Sequence, residues 1–169
     1  MIKEYLKKLY AQELLDIICV GSVEIDNSHA EITTSHTCIY IELDFGYVKL
    51  DSVDQYSKLR LSFAREIENN IELEEGEFFT KYSIANIVLK DFLAENIMKS
   101  VGVYNANYIP PSTLECDALE IKLENGQLIF VDPSYFGIQI GGEEIKYRWM
   151  ETISLTGKEL NFVCESSEH

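Results

Sequence analysis

The stretch from residue 114 to residue 150 constrains the fold more than any other part of this chain. Residues 119–124 alternate apolar and charged side chains, Asn125-Gly126 follows, and an apolar run resumes over 127–131. Asn-Gly between two such runs is the strongest short signal of a β-hairpin, because both residues tolerate positive φ. The sequence therefore predicts two antiparallel strands joined by a two-residue turn.

A second hairpin is predicted immediately afterwards, with strands over 136–140 and 143–147 and a turn at Gly141-Gly142. Two-residue turns fix the register of both hairpins, and the register decides which side chains share a face. The four strands form a predicted meander. Its expected core face consists of Ile121, Leu123, Leu128, Phe130, Phe136, Ile138, Ile145 and Tyr147.

Elsewhere, apolar spacing predicts a first helix from Ile2 to about Asp16, a buried strand over 17–25, and a three-strand meander between residues 39 and 63. A broad apolar stripe after Ser83 predicts a second helix that ends near Gly102, and two last strands are expected at 152–155 and 160–163. We therefore expect a single α+β domain over residues 1–169, with a mostly antiparallel sheet of meander hairpins packed by about two helices.

The charge of the chain limits its possible partners. Its 169 residues include 29 acidic and 14 basic side chains, for a net charge of −15. Such a surface repels phosphate backbones, so we expect no nucleic-acid binding and instead a basic protein partner.

The four cysteines, Cys19, Cys38, Cys116 and Cys164, are far apart and form no C-x-x-C pair. The N-terminus has no apolar core of signal-peptide length, and no run approaches the roughly 20 apolar residues of a membrane helix. We expect reduced, mostly buried cysteines in a cytoplasmic protein without membrane contact.

Residues capable of chemistry are few. His29, Glu31, His36 and Cys38 are the one cluster of metal-capable side chains, but they lack the tight spacing of a zinc site, so we expect no metal and no cofactor. Cys116 stands between two carboxylates, which raise a thiol pKa, and phosphate-binding glycine loops are missing.

Carboxylates offer an alternative reading. Asp132, Glu120 and Glu42 are candidates for acid–base chemistry or for binding a small ligand, provided that they converge in a cleft with separated pKa values. As isolated residues they are more typical of the solvent face of a strand. An adaptor subunit is a further alternative.

A glutamate-rich segment and a group of aromatic residues are the better candidates for a binding surface. We predict partner contacts at Glu66, Glu68, Glu72, Glu74, Glu75 and Glu77. These residues lack the aspartate-rich, glycine-centred spacing of an EF-hand. The aromatic candidates are Tyr104, Tyr108, Tyr135, Tyr147 and Trp149, since tyrosine and tryptophan are enriched at interface hot spots.

In size, charge and lack of catalytic motifs, the whole chain resembles the small acidic cytoplasmic immunity proteins of bacterial toxin systems. That resemblance implies a non-enzymatic protein that binds and neutralises a cognate toxin, often a basic nuclease. Immunity proteins differ in fold, so the resemblance assigns no residue a role.

Overall fold

Two antiparallel sheets stacked face to face form the body of the protein, and a computed structural model describes residues 1–134 and 136–167. The helices are α1 (Ile2–Lys7), α2 (Ala85–Val88) and α3 (Glu143–Thr156). The strands are β1 (Asp16–Asp26), β2 (His29–Leu43), β3 (Gly46–Val53), β4 (Lys58–Ala64), β5 (Glu77–Ser83), β6 (Met98–Tyr104), β7 (Asn107–Ile109), β8 (Thr113–Cys116), β9 (Ala118–Leu123), β10 (Leu128–Ser134), β11 (Gly137–Gly141) and β12 (Phe162–Ser166). The predicted α+β class with a mostly antiparallel sheet is confirmed.

The first sheet has seven strands in the order β5-β1-β2-β3-β4-β8-β7, and the second has five in the order β11-β10-β9-β6-β12. Period-two alternation aims one side of every strand at the facing sheet. Leu50, Leu59 and Leu61 of the first sheet and Val101 and Ile129 of the second are completely buried in one shared core. The alternation that predicts the β2–β3–β4 meander therefore also defines half of this core.

Both outer faces carry a cover. Helix α3 lies on the second sheet, where Trp149 packs with Tyr104 and Phe130 at ring-centroid distances of 4.9 and 5.4 Å. The segment over 65–76 lies on the first sheet, where Ile67 and Ile71 pack against Tyr40 and its neighbours. The molecule is thus layered as segment, sheet, sheet and helix.

The predicted register of the first hairpin is wrong by one residue. Leu128 lies opposite Lys122, and Ile129 lies opposite Ile121, because the turn contains three residues rather than two. The side chain of Gln127 holds this register: its amide donates to the Val88 carbonyl at 2.7 Å, and its oxygen accepts from the Lys90 N–H at 2.9 Å. A one-residue offset moves each side chain to the other face, so Phe130 packs under α3 and not in the core between the sheets.

The predicted second hairpin does not form. β11 pairs with β10, and the chain then enters α3, so Ile145 and Tyr147 are helical and do not lie opposite Ile138 and Phe136. Phe136 and Tyr147 are mostly exposed, which removes them from the expected core face. The expected strand at 152–155 is the last part of the same helix.

Two helix predictions are also corrected. The first helix ends at Lys7 rather than near Asp16. The segment after Ser83 forms only the four-residue α2, because Met98–Tyr104 is the strand between β9 and β12 in the second sheet. Asn96 holds the turn before that strand by donating to the carbonyls of Asp91 and Ala94.

Candidate functional site

Strands β5, β1 and β2 extend beyond the end of the sandwich, and we call this part the overhang (Gly21–Asp26, His29–Thr34 and Glu77–Thr80). The pairing of β1 with β2 is irregular between Cys19 and Gly21, and β3 pairs with β2 only from Cys38 onward. Beyond that point only three strands continue, and the described part of the second sheet leaves their inner face exposed.

One face of the overhang is acidic. Glu24 lies directly opposite Glu31 on β2 and directly opposite Glu77 on β5, so three glutamates form a row across adjacent strands. Cross-strand neighbours have Cβ atoms about 5 Å apart, and like charges in that position destabilise a sheet. Glu24 and Glu31 are exposed. The row is therefore electrostatically unfavourable in the isolated protein.

The other face of the overhang is apolar. Val23 lies opposite Ile32 on one side and opposite Phe78 on the other, which places the three side chains in a second row. Ile25 continues this face toward the tip. Ile25 and Ile32 are 60 % exposed and Phe78 is 58 % exposed, whereas the same face of the strands within the sandwich is buried. The overhang thus extends the core face of the first sheet into solvent.

The predicted glutamate-rich site lies on the acidic side of the same region. Glu66, Glu68, Glu72, Glu74 and Glu75 are exposed on the segment 65–76, and Glu77 begins β5. Ile67 and Ile71 anchor the segment to the outer face of the first sheet, and the backbone of Glu68 reaches the buried Tyr40 hydroxyl. The segment begins after Ala64, at the end of the first sheet away from the overhang, and crosses the outer face to Glu77, so its last glutamates, Glu74 and Glu75, lie nearest the acidic row.

Glu77 differs from the other five predicted residues because its carboxylate is used inside the protein. Ser22 Oγ donates to Glu77 Oε1 at 3.1 Å, and the N–H of Glu74 donates to Glu77 Oε2 at 2.8 Å. These bonds fix the end of the glutamate-rich segment against β1, a structural role that the sequence pattern did not distinguish.

A second feature is a pocket of about 620 Å³ beside α3, on the outer face of the second sheet. Arg148, Thr152 and Thr156 are four residues apart and line one wall, which extends about 12 Å along the helix. Trp149 and Ile153 contribute apolar surface, and Asp132 and Gln139 line the opposite side from β10 and β11.

Three carboxylates lie near α3, and two of them are paired. Glu120 is buried and contacts Lys146 Nζ at 2.6 Å and the Tyr104 hydroxyl at 3.0 Å. Asp117 is buried between Lys58 and Lys158, with Lys158 Nζ at 2.5 Å. Burial alone would raise the pKa of Asp117, but hydrogen bonds from Lys158, Lys58 and Asn105 outweigh it and lower the pKa.

Asp132 has no such partner. Its carboxyl group forms no hydrogen bond or ion pair with any residue in the described ranges, and burial raises its pKa to about 6. Asp117 and Asp132 thus have pKa values shifted in opposite directions at one pocket. Because all of the charge on Asp117 is bound by lysines and an amide, it is a structural group rather than a free partner for acid–base exchange.

The remaining sequence candidates do not converge. His29, Glu31 and His36 are exposed on β2 and Cys38 is half-buried there; within the described residues no three such side chains are grouped as metal ligands. Glu42 is half-buried on β2. All four cysteines are free, and burial more than the flanking carboxylates raises the pKa of Cys116.

The aromatic candidates divide between core and surface. Tyr104 and Trp149 are buried, Tyr108 is half-buried and Tyr147 is exposed, while Tyr135 lies outside the described residues. The sequence prediction missed the apolar row of Val23, Ile32 and Phe78. The signal for it was the alternation of β1 past Val20, which indicates a strand but not where its covering sheet ends.

Comparisons of the chain with protein-family models, with curated proteins and with solved structures find no match. Across the described residues, the helices are too short or too polar to cross a membrane.

Proposed function

We propose that this chain is a non-enzymatic binding protein whose overhang docks a basic protein partner. The observation that carries this proposal is the two-faced overhang, which has an exposed apolar row on one side and an acidic row with the glutamate-rich segment on the other. A partner that covers both faces gains apolar burial and charge neutralisation together.

The apolar face supports docking because its side chains are adjacent. Scattered exposed apolar residues are normal, but a contiguous patch rimmed by polar residues is typical of an interaction site. Phe78, Ile32 and Ile25 are each more than half exposed and belong to three neighbouring strands. Phenylalanine is also among the aromatic residues that are enriched at protein interfaces.

The charge of the region supports a basic partner rather than a second copy of this chain. Residues 21–34 and 65–83 contain nine acidic and two basic side chains. Two copies joined through this region would bring both sets together, and like charges across an interface are strongly unfavourable. Lysine and arginine side chains on a partner would neutralise the row of Glu24, Glu31 and Glu77 and speed the encounter.

Among acidic binding proteins, the resemblance to immunity proteins supports the finer proposal that the partner is a bacterial toxin of the basic nuclease type, neutralised in the cytoplasm. An adaptor subunit would use the same surface for another partner. The identity of the captured protein separates these two possibilities.

The test is co-expression of the tagged chain with the product of the adjacent gene, together with affinity capture from the source cell at low salt. The expected result is one basic partner that copurifies and that loses activity in the complex. Failure to recover a basic partner under either condition would overturn the proposal.

Matched variants then locate the surface. The double substitution Glu24→Lys and Glu31→Lys should weaken binding of the captured partner at least tenfold and reduce the salt dependence of that binding. The control, Glu95→Lys with Glu124→Lys, changes the net charge equally at exposed positions at the opposite end of the sandwich. Equal effects of the two pairs would mean that only net charge matters. Ile32→Ser tests the apolar face without any change in charge.

A further inference from the structure

We propose that the pocket beside α3 binds a small organic cation, with the Asp132 carboxylate as its counter-ion and the side chains of Trp149 and Ile153 as its apolar wall. This site is separate from the overhang, and it takes a different class of ligand.

Of the three carboxylates near α3, Asp132 is the one without a cationic partner among the described residues. Glu120 is paired with Lys146 and Lys122, and Asp117 is paired with Lys58 and Lys158. Asp132 lies on the same outer face, two residues after Phe130 on β10, and has no cationic partner within the described residues. Asp132 is half-buried, and a partly desolvated charge is costly unless it is paired, so a cationic ligand can supply the partner that Asp132 lacks.

The size and lining of the pocket suit a small organic molecule. Its volume of about 620 Å³ lies within the range of roughly 300–1,000 Å³ that small-molecule sites occupy. Trp149 and Ile153 supply apolar surface on the α3 side of the pocket, against which the hydrocarbon part of an organic cation can pack. The indole N–H of Trp149 also has no hydrogen-bond partner among residues 1–134 and 136–167, so it is free to donate to a polar atom of the ligand.

The other charged groups that line the pocket favour a cation over an anion. Lys158 is already bound to Asp117, so it offers no free positive charge. Arg148 also lines the pocket, but its side chain is exposed, so water solvates its charge. The unpaired charge that burial partly desolvates is therefore the negative one on Asp132.

The sequence provides a single reporter for the test, because Trp149 is the only tryptophan in the chain. The ¹⁵N-labelled protein is titrated at pH 7.5 with 2-phenylethylammonium chloride, and separately with 2-phenylethanol and 3-phenylpropanoate as neutral and anionic analogues. We expect a saturable shift of the one indole N–H resonance with the ammonium compound, and binding at least tenfold weaker for the two analogues.

The substitution Asp132→Asn should weaken binding of the ammonium compound at least tenfold, while the rest of the spectrum remains that of a folded protein. Arg148→Gln, a control at the same pocket, should leave its binding unchanged or stronger. Lowering the pH from 7.5 to 5 should weaken binding to the native protein about tenfold, since the ionised fraction of a group with a pKa near 6 falls by about that factor. The other charged groups that line the pocket are Asp117, Lys158 and Arg148, and the hydrogen bonds that lower the pKa of Asp117 keep it ionised over this interval.

Three results would overturn the proposal. They are equal affinity for all three probes, preference for the anion, and unchanged binding of the ammonium compound to Asp132→Asn. Because no partner protein is used, these outcomes are independent of the docking experiments on the overhang.

Discussion

Replacing Asp132 by asparagine should stabilise the free protein at neutral pH. Burial raises the pKa of the Asp132 carboxyl from its ordinary value of 3.8 to about 6. A difference of about two pH units between the folded and unfolded chain corresponds to about 3 kcal/mol of unfavourable free energy when the group is ionised in both states. Asparagine has nearly the same shape and no charge, so the variant avoids that cost.

The expected gain in the free energy of unfolding at pH 7.5 is about 1–3 kcal/mol, the lower figure allowing for the half-exposed carboxyl. For a chain of this length, each kcal/mol raises Tm by about 3 °C. Urea unfolding followed by the fluorescence of Trp149, which lines the same pocket, measures the free energy directly.

The sign of the pH dependence makes the test specific. Between pH 6 and pH 4 the folded native protein binds a proton at Asp132 that the unfolded chain does not, so its stability rises relative to the variant as the pH falls. The difference between the two proteins should be fully present above pH 7 and lost near pH 4. A stabilisation that does not change with pH, or a variant less stable than the native protein at pH 7.5, would refute the reasoning.

Three further perturbations test the architecture. Glu24→Gln removes the central charge of the acidic row, and should stabilise the protein by about 0.2–1 kcal/mol at low salt and by less in 1 M NaCl, as thermal unfolding at both concentrations would report. Ile71→Ala removes a half-buried anchor of the segment 65–76, and should lower the free energy of unfolding by about 1–2 kcal/mol. It should also speed proteolytic cleavage within that segment, and unchanged cleavage would contradict the anchoring. Lys146→Met leaves the buried Glu120 with only the longer contact to Lys122, and should destabilise the protein by about 2–4 kcal/mol. It should also alter the near-UV circular dichroism of the aromatic cluster under α3.

The local pattern of apolar residues was sufficient to predict secondary structure where it agreed with the tertiary packing. The alternation of β2, β3 and β4 predicted strands, and these strands contribute Ile41, Leu50 and Leu61 to the buried core. The acidic surplus and the glutamate-rich segment were likewise visible in the sequence. What the pattern could not give was the register of the first hairpin, which depends on the contact of Gln127 with Val88, 39 residues away.

The prediction of a strand was wrong at α3, because the local sequence there is compatible with both a hairpin and a helix. Gly141-Gly142 is compatible with a turn, but Gly142 precedes a helix whose first turn contains Glu143 and Glu144, and Gly157 ends that helix with a left-handed φ of 67°. Acidic residues at the start and glycine at the end of a helix are both favourable, so the signal for α3 was present and was read as a hairpin.

The reverse exchange followed Ser83, where an apolar stripe of helical spacing gives a four-residue helix, a turn and the strand β6. Two neighbouring strands, β9 and β12, both pair with β6, and Val101 and Val103 become completely buried. Those pairings join parts of the chain that are far apart in sequence. The free energy gained by burying Val101 and Val103 outweighs the local helical preference, and a short stretch of sequence does not reveal that gain.

The sequence by itself determined the strand-rich class and the strong negative charge, because each depends on composition or on spacing within a few residues. Only the tertiary structure decided that three strands extend past their covering sheet with one apolar and one acidic face. It also decided that two carboxylates under α3 acquire lysine partners while Asp132 acquires none. Both features depend on which residues far apart in the chain become neighbours, and that is set by the packing of the two sheets.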